Sequence, residues 1–143
     1  MKRGLGILMV LMAVVMVVAP IYSDCMSQGR MLTLQNGSKV PMKCHWAGIA
    51  EIGPAIPLAL AGIYAMRGKR REHDTATGIM GIASGALAIL FPTYLIGVCA
   101  NPDMMCNMVM RPVLISAGTL AIVASAILLF SGRKNVVTAA AAA

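Results

Sequence analysis

The chain has 143 residues, 59% hydrophobic and 12% charged, with a net charge of +7. Soluble domains average about 45–50% apolar and about 25% charged residues, so this is a membrane composition. The basic residues stand at the ends of apolar stretches and build no basic face, which sets nucleic acid aside as a partner.

Span one runs from about Gly4 to Tyr22, behind Lys2 and Arg3. Roughly 20 apolar residues cross a hydrocarbon core of about 30 Å. No A-x-A-like site precedes Asp24, so the stretch reads as a retained span and not as a cleaved signal peptide. Residues 24–43 form a first outer loop. In it, Met31–Gln35 and Ser38–Met42 flank Asn36-Gly37. Asn-Gly favours φ > 0 at both turn positions, which predicts a small β-hairpin with a type I′ turn and Pro41 on its edge.

Span two runs from about Trp46 to Met66, with Trp46 and Tyr64 placed for the two interfaces. Pro54 and Pro57 are expected to kink or loosen it. A basic turn follows, in which Arg67, Lys69, Arg70 and Arg71 fix topology and can hold anionic lipid headgroups. His73 there is expected to be solvated. Span three runs from about Thr75 to Val98. Its small residues Gly78, Gly81, Gly85 and Ala88 recur at spacings that let another helix approach closely. Residues 99–112 form a second outer loop. Span four runs from about Val113 to Ser131, with a stripe of its own at Ala117, Ala121 and Ala124.

Basic residues orient the chain. Lys2, Arg3, Arg67, Lys69, Arg70, Arg71, Arg133 and Lys134 fall on one side, and Arg30, Lys39, Lys43 and Arg111 on the other. Eight against four places both termini in the cytoplasm. Short loops then make neighbours antiparallel. The expected fold is an all-α integral membrane bundle of four antiparallel spans, a single domain over residues 1–138. The Ala139–Ala143 run is set aside as a tag or placeholder.

This topology gathers Cys25, Cys44, Cys99 and Cys106 at the ends of spans on the outer side. In an oxidising compartment such thiols pair. The simplest connectivity closes each loop, Cys25 to Cys44 and Cys99 to Cys106, giving a disulfide-stapled outer cap. The alternative is soft-metal binding. His45, Met104, Met105, Cys106 and Met108 are the candidate ligands on that side, and thioether with thiolate suits Cu(I). A third reading is thiol–disulfide exchange through Cys99 and Cys106, though no C-x-x-C is present.

Glu51 is the one acidic residue inside a span. An intramembrane carboxyl is costly unless paired or hydrated, and is a functional candidate for that reason. No phosphate loop, H-E-x-x-H, G-x-S-x-G or dinucleotide fingerprint occurs, so no catalytic residue and no cofactor is expected beyond the copper alternative.

The block Pro41-Met42-Lys43-Cys44-His45-Trp46, followed by Ala50-Glu51 and by Leu95-Ile96-Gly97-Val98-Cys99 and Cys106 ahead of Arg111-Pro112, carries a resemblance. Over about residues 5–130 the chain resembles a family of small prokaryotic four-span membrane proteins of unknown function. The resemblance implies association with ABC transporters of the macrolide-exporter type. The first functional expectation is therefore a non-enzymatic accessory subunit of a larger complex in a prokaryotic cell membrane, its partners being lipid and other membrane subunits such as a permease. Copper binding stands second and thiol exchange third.

Overall fold

The computed structural model describes residues 2–67 and 71–140, with the side chains of 71–73 and 132–140 left aside. Helix α1 covers Lys2–Ser23, strands β1 and β2 cover Leu32–Thr33 and Lys39–Val40, and α2 and α3 cover Lys43–Ala50 and Ile52–Arg67. Helix α4 covers Arg71–Leu90 and α5 Arg111–Ala140. A π-helical turn at Phe91–Leu95 extends α4, and another at Cys106–Met110 precedes α5. Among the described residues, four segments are long and apolar enough to cross a membrane: Lys2–Ser23, Lys43–Arg67, Asp74–Leu95 and Cys106–Ser131.

The helices pack as a ring in which α1 touches α3, α3 touches α4, α4 touches α5 and α5 returns to α1. Each buries a narrow stripe. On α1 it is Gly6, Met9, Ala13, Met16 and Pro20, while Ile7, Leu11, Val14, Val18 and Ile21 point outward. The outward face is thus at least as apolar as the inward one. That suits hydrocarbon and is the reverse of a water-soluble bundle. Small residues such as Gly6 and Ala13 alternate on the inward stripe with larger ones such as Met9 and Met16, and the small ones are what allow close helix approach.

Two glycine pairs bring backbone against backbone. A Cβ on Gly6 would meet the carbonyl oxygen of Gly62 at 2.6 Å, and one on Gly85 would meet that of Gly118 at 2.7 Å. The small residues of span three therefore meet span four inside the same chain, at Gly118, Ile122, Ser125 and Leu129 and not at its alanine stripe. Gly85→Val should destabilise the bundle by about 1–3 kcal/mol through overpacking. Gly53→Ala, where a Cβ would meet nothing within 4 Å, should leave it unchanged or slightly firmer. Thermal unfolding in detergent compares the two.

The boundaries differ from the sequence expectation where prolines act. Span two starts at Lys43, so Cys44 and His45 are helical, and it breaks at Glu51 between α2 and α3. Pro54 has no N–H for the carbonyl of Ala50, four residues back. The helix is bridged by Glu51 N–H to the Ala47 carbonyl at 3.2 Å and Ala55 N–H to the Glu51 carbonyl at 3.1 Å. Span three stops at Leu95 and span four starts at Cys106, seven residues before the expected Val113. Pro92 lies in the first π turn and Pro112 two residues beyond the second, and the missing N–H of each disturbs the ordinary ladder.

The hairpin forms, with Leu32 opposite Val40 and Thr33 opposite Lys39. Its turn is not type I′. Gly37 has φ of +80°, but no residue other than glycine has positive φ among those described, so Asn36 does not. Gly37 N–H bonds the Leu34 carbonyl and Leu34 N–H the Ser38 carbonyl, both at 2.9 Å. Asn36 instead turns its Oδ1 to accept from the backbone N–H and the hydroxyl of Ser38. That local bond competes with the left-handed conformation.

At the opposite end of the bundle Lys2 pairs with Asp74, tying the starts of α1 and α4. Lys69 and Arg70 of the expected lipid-binding turn lie outside the described residues, as do the side chains of Arg71 and His73. Arg67 is exposed in the last turn of α3.

Candidate metal centre

Each membrane-length segment delivers one cysteine to the same end of the ring. Cys25 follows the end of α1 in a turn closed by Arg30 N–H to the Cys25 carbonyl at 2.9 Å. Cys44 lies in the first turn of α2. Cys106 opens the π turn ahead of α5. Cys99 reaches the same place because the chain reverses after Leu95. The N–H groups of Ile96 and Gly97 both bond the Phe91 carbonyl at 3.1 Å, and Gly97 adopts φ of +75°, which a glycine tolerates without strain.

The four sulfurs converge. Cys25 Sγ is 3.5 Å from Cys99 Sγ and 3.5 Å from Cys106 Sγ, and Cys99 Sγ is 3.5 Å from Cys44 Sγ. All four lie within 4.8 Å of one another. Cys25, Cys44 and Cys106 are buried and Cys99 half-buried. Two thioethers touch the outside of this group: Met104 Sδ is 4.0 Å from Cys25 Sγ, and Met42 Sδ is 3.8 Å from Cys99 Sγ.

No pair of cysteines stands at disulfide distance in the structure. All four cysteines are free, and neither Cys25 with Cys44 nor Cys99 with Cys106 is bonded. A disulfide needs sulfurs about 2.05 Å apart. The ring of helices brings all four sulfurs together, so the cluster leaves every pairing within reach, the loop-internal one included.

A tetrahedral ion with metal–sulfur bonds of about 2.3 Å would hold its sulfurs about 3.8 Å apart. The 3.5 Å separations are within a few tenths of an ångström of that spacing. Thiols are weak hydrogen-bond donors, so four of them facing one another gain little by themselves. Burial, and then the hydrogen bonds with Cys44, Cys106 and Cys99, push the Cys25 thiol far above its ordinary range. For Cys99 burial acts upward too, but the neighbouring thiols Cys25, Cys44 and Cys106 outweigh it and bring this thiol below the usual value. The cluster therefore already has one position where negative charge is favoured by its neighbours.

A polar clamp stands beside it. His45 Nδ1 donates to Asp24 Oδ2 at 2.7 Å, and Asp24 Oδ1 accepts from Ser27 N–H at 2.6 Å. Burial raises the Asp24 carboxyl, but the His45 bond and the Ser27 contacts outweigh it and hold it below the usual carboxylate range. Asp24 precedes Cys25 and His45 follows Cys44, so one bond fixes two of the four cysteines. Sequence reasoning missed Asp24. The mirrored pairs Asp24-Cys25 and Cys44-His45 were the available signal.

The ligands expected for a soft metal separate. Cys106 lies in the cluster and Met104 at its edge. His45 is engaged with Asp24, Met105 is 45% exposed and Met108 is 64% exposed. Glu51 belongs to the core-facing stripe of span two, with Cys44, Ala47, Leu58 and Ala61. It is fully buried, and both its carboxyl oxygens lack a hydrogen-bond partner among the described residues. Seven residues of helix set it about 10 Å along the axis from Cys44, so it touches a different layer of the bundle.

A family model described as a domain of unknown function (DUF4418) matches residues 3–131. No curated protein and no solved structure matches the chain.

Proposed function

We propose that this chain, which belongs to the DUF4418 family, is an integral membrane protein that binds one thiophilic metal ion in a tetrathiolate site. The site stands at the end of the four-helix ring that the charge count places outside the cell. Cys25, Cys44, Cys99 and Cys106 are its ligands. One observation carries the reading: four sulfurs from four separate segments lie within 4.8 Å of one another. In a structural site of this kind the ion is closed off by four protein ligands. Here it would lock all four spans together at one end, much as four staples meeting at one point.

The accessory-subunit reading rests on the resemblance to transporter-associated proteins, on the small soluble part and on the small-residue stripes. The last of these motives is weakened, because the glycines of α4 are covered by Gly118, Ile122, Ser125 and Leu129 of α5. Thiol exchange needs an accessible, acidified thiol. Cys99 is half-buried and brought below the usual value by its neighbours, but Cys106, its partner in that reading, is buried.

Titration of the reduced, purified chain in detergent with Cd(II) tests the proposal. One equivalent should produce a saturating cadmium–thiolate charge-transfer absorption. A titration that never saturates, or no absorption at all, would sink it.

A further inference from the structure

A cavity of about 40 Å³ opens against one side of the sulfur cluster. It is lined by Asp24, Cys25, Asp103, Met104, Met105 and Cys106, among others. Its volume admits a hydrated group or a single ion, not an organic ligand. The sulfur atoms along it are graded in exposure. Met105 is 45% exposed, Met104 is half-buried, Cys25 is 3% exposed and Cys106 is fully buried. Asp103 at the rim is exposed.

We infer that this cavity is the loading route of the four-cysteine site and that the ion it is built for is Cu(I). The inference rests on the metal-site reading above. A thioether is a soft ligand that selects Cu(I) and adds little for Zn(II), which takes thiolate, imidazole and carboxylate. Two thioethers beside four thiols, one on the cavity wall, are surplus for a zinc site and useful for a cuprous one. Met105 and Met104 carry no proton that must leave, so they can take the ion before any thiol ionises. The ion then passes inward by ligand exchange. A bond from copper to the delivering ligand breaks as one to Met104 Sδ forms. That bond breaks in turn as copper bonds Cys25 Sγ, 4.0 Å away, whose thiol proton goes to cavity water. No electron moves and copper stays cuprous. Met42 touches Cys99 but does not line the cavity, which makes it an internal control.

The test uses the full chain, reduced, in detergent and without oxygen. Cu(I) is delivered from a coloured chelate and loss of colour is followed in time. The double variant Met104→Leu/Met105→Leu should load Cu(I) slower by about 10-fold, the scale on which groups beside a metal's own ligands act. It should reach the wild-type end point. Met42→Leu should load at the wild-type rate, and Cd(II) should load all three proteins alike. Unchanged Cu(I) loading in the double variant overturns the route, and equal slowing of Cd(II) shows a structural effect and also overturns it. Wild-type protein that takes Cd(II) but refuses Cu(I) overturns the choice of ion alone. Protein that takes neither metal overturns the site itself.

Discussion

Serine at any one of positions 25, 44, 99 or 106 should weaken Cd(II) or Cu(I) binding by more than about 100-fold, beyond the 10–100-fold that groups around a metal's own ligands contribute. Each substitution swaps a soft thiolate for a hard, un-ionised hydroxyl in a set of four. The effect should be of the same order at all four positions, because all four sulfurs meet at one point. This pattern separates a metal centre from a pair of staples. With two disulfides, Cys25→Ser and Cys44→Ser would form one matched pair of phenotypes and Cys99→Ser and Cys106→Ser another, each leaving the other bridge intact. Competition against a chelator of known affinity measures the losses. Equal effects within pairs but not across them would contradict the account.

The sequence suggested a bridge within each loop as the simplest pairing and left the others open. It placed all four cysteines at one end of the bundle, and the structure agrees on that juxtaposition. The choice of partners then followed separation along the chain. In an antiparallel ring, however, the last turn of one span and the first turn of the next lie side by side around a shared axis. One cysteine per span end therefore means four at the centre. The two span boundaries that most concealed this were those of spans two and four. The sequence set the start of span two at Trp46, an interfacial anchor, and that of span four at Val113. The helical segments begin instead at Lys43 and Cys106, and so carry Cys44 and Cys106 inward on rigid backbone. Gly97 was equally unreadable as the hinge that returns Cys99, since a lone glycine among apolar residues fits many roles. By contrast the helix stripes were legible. Gly78, Gly81 and Gly85 announced a close contact, which the structure places against α5, while the Ala117, Ala121, Ala124 series is buried without being the partner of those glycines.

The second large effect concerns the middle of the bundle. Glu51→Leu should raise the stability of the isolated chain by about 1–3 kcal/mol, the desolvation cost of a buried polar group left without a partner. Both carboxyl oxygens are unpaired among the described residues, and the residue is fully buried. Leucine is close in volume and suits the stripe formed by Ala47, Leu58 and Ala61. Thermal unfolding in detergent reads the change, with Glu51→Gln as the polar control that should gain less. A drop in stability for Glu51→Leu would show that the carboxyl is satisfied by something the single chain in this structure does not include. A carboxyl retained at such a cost marks a position kept for a purpose other than packing. It lies a turn and a half or more from the sulfur cluster, too far to be a ligand of the same ion.

The Asp24–His45 clamp connects the centre to the fold. Asp24→Asn keeps the shape but weakens the charge-assisted bond to His45. It should lower metal affinity by about 10-fold, in the range of groups that orient a metal's ligands, without abolishing binding.

Native mass spectrometry of the chain, extracted in mild detergent without added metal or reductant, addresses the tetrathiolate centre most directly. The account predicts a protein carrying one metal ion that chelator removes, leaving a polypeptide at its full reduced mass. A metal-free polypeptide four hydrogens light would mean two disulfides and would contradict it.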